Sequence, residues 1–195
     1  MIIGLTGGIA TGKSEASKIF KKLGCYVIDA DKISRQLTTK GSDVLKKIVE
    51  SFGTEILTKK GSLNRKKLSR LIFNNKGAKL QLERILHVYI IKKINEIVAK
   101  KYKDTDIVID APLLFEVGLD RICNKVIVIY AQYSLQLKRF MKRDNLSKAE
   151  AEQRISVQMP IEEKMMLATV VIDNSYTLKD LTKNIKQVYS KFKSL

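Results

Sequence analysis

The sequence predicts an α/β fold, with helices alternating between the strands of a parallel sheet. Three observations carry this prediction. The chain opens on an apolar run, Ile2-Ile3-Gly4-Leu5, followed by a glycine loop and a helical pattern from Ser14 to Leu23. β-Branched runs recur at Val27-Ile28, Ile107-Val108-Ile109, Val126-Ile127-Val128-Ile129 and Val170-Val171-Ile172, with helical spacing between them. The run Asn124 to Tyr130 is almost continuously apolar, which suits a strand buried on both faces.

The glycine loop is the most informative stretch. Gly7-Gly8-Ile9-Ala10-Thr11-Gly12-Lys13-Ser14 has the spacing G-x-x-x-x-G-K-S of a phosphate-binding loop, and it stands between a strand and a helix. Glycines allow positive φ and close backbone approach. Successive N–H groups then form an anion nest, to which the helix N-terminus adds partial positive charge. Gly8, Ile9, Ala10, Thr11, Gly12, Lys13 and Ser14 are the candidate nucleotide contacts. Lys13 is placed to reach the β- and γ-phosphates, and the Ser14 hydroxyl to ligate Mg²⁺. The alternative, a glycine-rich strand-to-helix turn with a chance Lys-Ser, is disfavoured by the eight-residue spacing together with its structural context. The motif predicts binding of a nucleoside triphosphate such as ATP and leaves open the fate of its γ-phosphate.

The chain has 195 residues, enough for one domain with insertions. No apolar run approaches the roughly 18 residues of a membrane span. The N-terminal stretch has no basic segment before its apolar run, so no signal peptide is expected. Cys25 and Cys123 are too few for a disulfide framework and are expected as free thiols in the cytoplasm. The formal net charge is +17. It fits nucleic-acid binding, a funnel for polyanionic small substrates, or a lysine-rich composition. The lysine pairs are spread along the chain without interleaved aromatics, which favours solvated faces over a nucleic-acid stripe.

The remaining elements follow in order. Cys25 to Asp29 reads as the second strand, with Asp29 and Asp31 at its carboxyl edge, where open α/β sheets bind ligands. Either acid suits Mg²⁺ or a substrate hydroxyl, and Asp31 is preferred; the alternative for the pair is turn and cap chemistry. Residues 32–103 are almost entirely helical, with Ala78 to Lys101 as the longest helix. Roughly seventy residues between two strands exceed the thirty or so of a simple crossover. The excess reads as an insertion for a second substrate. Arg65, Arg70 and Arg84 are candidates for its anionic groups, each with solvated surface as the alternative. His87 is the only histidine. It is either a partly buried packing residue or a substrate contact.

Asp106 to Ala111 reads as the third strand. Asp110 stands near its end, where an acid would hold the water shell of Mg²⁺. Glu116 is either a second acid in the cleft or a helix-start charge. Ser134 to Arg143 reads as a helix, and Ser147-Lys148-Ala149-Glu150 as a capping box that opens another. The latter is expected to carry Arg154 and Gln158 at i, i+4 on one face. This charged hairpin is placed to act as a lid, with Arg139, Arg143 and Arg154 toward phosphates. Val170 to Asn174 reads as the fifth strand and a turn, followed by an amphipathic helix capped between Thr177 and Asp180.

These residues resemble the dephospho-coenzyme A kinase family along nearly the whole chain. The phosphate loop with Leu5-Thr6 before it, Val27-Ile28-Asp29-Ala30-Asp31 with Arg35, Gly61 to Arg65 and Leu86-His87 are similar to that family. So are Pro112-Leu113-Leu114-Phe115-Glu116, Lys142-Arg143-Asp144, the Arg154-x-x-x-Gln158 spacing and Ile172-Asp173-Asn174. The loop by itself is generic; the Asp-Ala-Asp, Pro-Leu-Leu-Phe-Glu and Arg-x-x-x-Gln in this order are specific.

The resemblance implies a P-loop kinase fold of the nucleoside-monophosphate-kinase type, with a five-stranded parallel sheet, a helical substrate-binding insertion and a lid. The implied division is a core of residues 1–31, 104–144 and 167–195, a coenzyme-A-binding insertion of 32–103 and a lid of 145–166. The implied reaction is ATP- and Mg²⁺-dependent phosphorylation of the ribose 3′-hydroxyl of dephospho-coenzyme A. In that reading Asp31 is the base, and Lys13, Arg139 and Arg154 are catalytic. Gly8 to Glu15, Arg143 and Asn174 bind ATP, with Asn174 near the adenine. Arg35, Arg65, His87, Pro112, Leu113, Leu114 and Glu116 join Asp31 in holding the acceptor. Ser14 and Asp110 serve the metal. ATP and dephospho-coenzyme A are the partners, with no nucleic acid and no membrane. Glu15 stands where the family usually has Thr, Val88 where it has Pro, and Thr169-Val170 where an Asp is frequent. Competing readings are another small-molecule kinase of this fold and a nucleic-acid-stimulated ATPase. A GTPase lacks support, because Asn124-Lys125 is followed by Val126-Ile127 with no Asp to read guanine.

Overall fold

The structure, a computed structural model, describes residues 1–73 and 75–194. In chain order it contains β1 (Ile2–Gly7), α1 (Lys13–Lys22), β2 (Tyr26–Asp29), α2 (Ala30–Leu37), α3 (Asp43–Phe52), α4 (Arg65–Phe73) and α5 (Lys76–Lys101). There follow β3 (Ile107–Asp110), β4 (Lys125–Tyr130), α6 (Tyr133–Asp144), α7 (Lys148–Ser156), α8 (Ile161–Leu167), β5 (Val170–Asp173) and α9 (Leu178–Lys193). The chain divides into two compact units, Met1–Ile28 with Lys100–Leu195, and Asp29–Ala99.

The first unit is built on a five-stranded parallel sheet in the order β2-β3-β1-β4-β5. β1 is central because it is buried almost throughout, with Ile3 and Leu5 fully inaccessible. Its register sets Leu5 beside Asp110 on β3 and Gly7 beside Ile129 on β4. The start of the glycine loop and the end of β3 therefore emerge from one edge of the sheet. α1 buries Ala16, Ile19 and Phe20, and α9 buries Leu181, Ile185 and Tyr189 at a spacing of one helical turn. Both helices join the sheet in one core, where Phe20 meets Tyr189 edge-on with ring centroids 5.9 Å apart. Two capping boxes, Ser147 with Glu150 and Thr177 with Asp180, start α7 and α9 as their spacing predicts.

The second unit is helical. Ser42 caps α3, whose Val44, Ile48 and Phe52 pack with Ile56, Leu68 and Leu82. Along α5 the predicted stripe is buried unevenly. Leu82 and Ile94 are buried, Ile85, Leu86 and Tyr89 are partly covered, and Val88 is exposed.

One expectation for the first unit fails. Arg154 and Gln158 do not share a helix face, because α7 ends at Ser156 with Val157 as its C-cap. Pro160 disfavours helical geometry at Met159, so the chain extends before α8 begins. Gln158 is released to act elsewhere.

Candidate active site

The glycine loop leaves β1 in a shape that few other sequences could take. A Cβ at Gly7 would collide with the Ile129 carbonyl oxygen, and one at Gly12 with the Asn174 amide nitrogen. Gly12 also has φ 98°, and Ala10, with φ 58°, is left-handed despite its Cβ. Such a backbone persists only when its surroundings fix it.

The surroundings here are identifiable. Gln136 of α6 donates Nε2–H to the Ile9 carbonyl at 2.8 Å, and the Ile9 N–H donates to Gln158 Oε1 at 3.1 Å. The two backbone polar groups of one residue are thus each held by a side-chain amide. Thr11 donates its hydroxyl to the Gly8 carbonyl at 2.9 Å. Asn174, after β5, donates Nδ2–H to the Thr11 carbonyl at 2.8 Å, and Arg139 of α6 donates to the Asn174 carbonyl at 2.9 Å. Asn174 therefore braces the loop backbone. Asn174→Ala is expected to cost about 1–2 kcal/mol in urea unfolding, the range for a lost buried hydrogen bond, and to raise KM for ATP.

Lys13 forms an ion pair with Asp110, and Ser17, one turn further along α1, donates its hydroxyl to the other carboxylate oxygen. Asp110 is only 7% exposed, so these partners compensate a buried charge. Among the described residues no three His, Cys, Asp or Glu side chains form a metal cluster. Mg²⁺ keeps most of its waters and takes one or two protein ligands. The exposed Ser14 hydroxyl in the first turn of α1 and the Asp110 carboxylate at the end of β3 are suitable donors.

The other predicted residues of the first unit take varied positions. Glu15 pairs with Lys18 at 2.7 Å on the outside of α1. Arg143 pairs with Asp144 at 2.7 Å and lies over the Phe140 ring. Its guanidinium holds the Asp144 carboxyl below the usual range. Arg154 is exposed on α7. Pro112 and Leu113 are half-buried after β3, with Phe115 and Glu116 just beyond. Leu114 between them is fully buried, with its side chain in the core.

In the second unit Asp29 is the N-cap of α2, its carboxylate accepting the Lys32 N–H at 2.8 Å. The cap reading therefore applies to Asp29, while Asp31 is exposed in the first turn of the same helix. Arg35 lies in its last turn. Arg65 donates to the buried Thr38 hydroxyl at 2.6 Å, and burial, followed by the nearby Arg35 charge, lowers its pKa. A basic pair of this kind favours an anion. His87 is half-buried on α5, and burial pushes its pKa below the ordinary 6.5 while Glu83 opposes the shift. Because the fold disfavours the imidazolium, stability should be full above pH 6.5 and fall as pH drops below it toward the folded value. Thermal melts of His87→Gln should lose that part of the pH dependence.

Comparison with known proteins decides the family. A family model described as dephospho-CoA kinase matches residues 1–180. The chain belongs to the dephospho-CoA kinase family. A dephospho-CoA kinase of Carboxydothermus hydrogenoformans is 42% identical over 198 residues, covering 98% of this chain and 94% of that protein. The solved structure of dephospho-CoA kinase from Campylobacter jejuni aligns with TM-score 0.72 at 35% identity, covering 98% of this chain and 96% of that one. A shikimate kinase of Acinetobacter baumannii, at 19% identity and TM-score 0.57 over 98% of this chain and 94% of that one, shares the P-loop kinase fold alone. As a member of this kinase family the chain is a transferase that phosphorylates dephospho-CoA to CoA, the last step of CoA biosynthesis.

Sequence reasoning missed two residues of this region. Gln136 is buried within an otherwise ordinary amphipathic helix and carried no signal. Lys164 looked like any other lysine of a basic chain, yet it is fully inaccessible.

Proposed function

We propose that the γ-phosphate of ATP is transferred to the ribose 3′-hydroxyl of dephospho-CoA, with the phosphate loop holding the nucleotide and Asp31 accepting the hydroxyl proton. The observation that carries this reading is the braced loop, whose shape is held by Gln136, Gln158 and Asn174. Preorganised amides of this kind stabilise charge without reorganisation during the reaction.

Lys13 exchanges its contact with Asp110 for the β- and γ-phosphates. Arg139 and Arg154 oppose the charge that spreads over the transferring group, and Arg143 binds ATP phosphate. Ser14 and Asp110 would hold Mg²⁺, which when bound neutralises phosphate charge. Asp29 caps α2, and Asp31, exposed in the first turn of that helix, is the acid we assign to proton transfer. Arg35, Arg65, His87, Pro112, Leu113 and Glu116 serve the acceptor, within an insertion of residues 32–103 and the segment after β3. Residues 145–166 form the lid. Among the described residues no helix is long and apolar enough to cross a membrane, and we place the reaction in the cytoplasm.

A coupled assay of ADP release against a panel of acceptors tests this reading. Turnover with dephospho-CoA well above that with shikimate, nucleosides and nucleoside monophosphates is expected. ADP release that requires DNA or RNA instead would replace the reading with a nucleic-acid-stimulated ATPase.

A further inference from the structure

Lys164 of α8 is fully buried, although a charged ammonium in a protein interior is costly unless it is paired. Two groups of one segment pair it. Its Nζ donates to the Pro112 carbonyl at 2.6 Å and meets Glu116 Oε1 at 2.8 Å. The same carbonyl accepts the hydroxyl of Thr6, the buried β1 residue just before the glycine loop, at 3.1 Å. The segment 112–116 is therefore gripped at its first and last residues by one lysine. Glu116 keeps 22% of its side chain accessible, so its carboxylate rests on the lysine and also reaches the surface.

Packing alone does not explain this choice. An apolar side chain of similar volume in place of a buried ion pair is often neutral or stabilising. What an ion pair adds is direction, because the ammonium fixes where the carbonyl and the carboxylate point.

We propose that Lys164 is a positioning residue for the phosphoryl acceptor. It holds the Pro112 peptide and the Glu116 carboxylate in the arrangement that receives dephospho-CoA, and it fastens the end of the lid segment to the acceptor segment. The proposal rests on the reading that residues 112–116 serve the acceptor.

Steady-state kinetics with both substrates, alongside thermal melts, test it in Lys164→Met, Glu116→Gln and Ile185→Ala. Ile185 lies in a core cluster that includes none of residues 112–116, and its truncation is expected to lower stability by cavity formation. Lys164→Met should raise KM for dephospho-CoA by about tenfold, the scale of one lost hydrogen bond to a charged group, with KM for ATP changed by less than about twofold. Ile185→Ala at matched stability should leave both values alone. If Lys164→Met does not fold, Lys164→Gln, which keeps a donor without the charge, is read by the same criteria. An unchanged KM for dephospho-CoA in the lysine variant, with a raised one in Glu116→Gln, overturns the positioning role and leaves the segment as acceptor site. An unchanged KM in both overturns the reading of the segment itself. An equal rise in Ile185→Ala reduces Lys164 to a general stabiliser and overturns the proposal.

Discussion

Lys13→Met is expected to lower kcat by about a thousandfold, the scale of losing one preorganised donor to transition-state charge. The side chain has two tasks. In the structure it neutralises Asp110, and with nucleotide bound it is placed to meet the β- and γ-phosphates. Removing it leaves a carboxylate that is 7% exposed with Ser17 as its remaining partner. A stability loss of about 3 kcal/mol, the low end for breaking a buried pair, should accompany the kinetic defect. The two effects are separable, because Lys13→Met/Asp110→Asn should recover much of the lost stability and none of the turnover. Lys13→Met with kcat within about tenfold of the parent, less than one lost donor costs, would remove the lysine from the reaction.

Asp31→Asn should lower kcat by about a hundredfold to ten-thousandfold, the range for losing a general base, while KM for ATP stays near its parent value. Asp29→Ala is the contrasting variant. Its carboxylate caps α2, so its loss should cost about 1 kcal/mol of stability and retain most of the turnover. Near-full activity in Asp31→Asn, or the reverse order of effects between the two acids, rejects the assignment.

Much of this architecture was readable because each part rests on local chemistry. β1 and β4 announce themselves as β-branched runs, and both capping boxes begin helices where their spacing places them. The glycine loop was legible because only certain residues tolerate its backbone, as Gly7 and Gly12 show by what a Cβ would strike. The supports of that loop were not legible. Gln136, Gln158 and Asn174 reach it across 127, 149 and 163 positions of sequence, and no local pattern encodes such contacts. Gln158 was misplaced for a related reason, since the i, i+4 rule assumes a helix that Pro160 does not permit to continue. Asp29 and Asp31 stand two positions apart, and the hydrogen bond from the Lys32 N–H marks Asp29 as the cap.

The most direct test of the central claim is ³¹P nuclear magnetic resonance of the product formed from ATP and dephospho-CoA. A new phosphomonoester coupled to the ribose 3′ proton is the predicted signal. A phosphomonoester at the 2′ position, or inorganic phosphate without a new ester, would contradict the account.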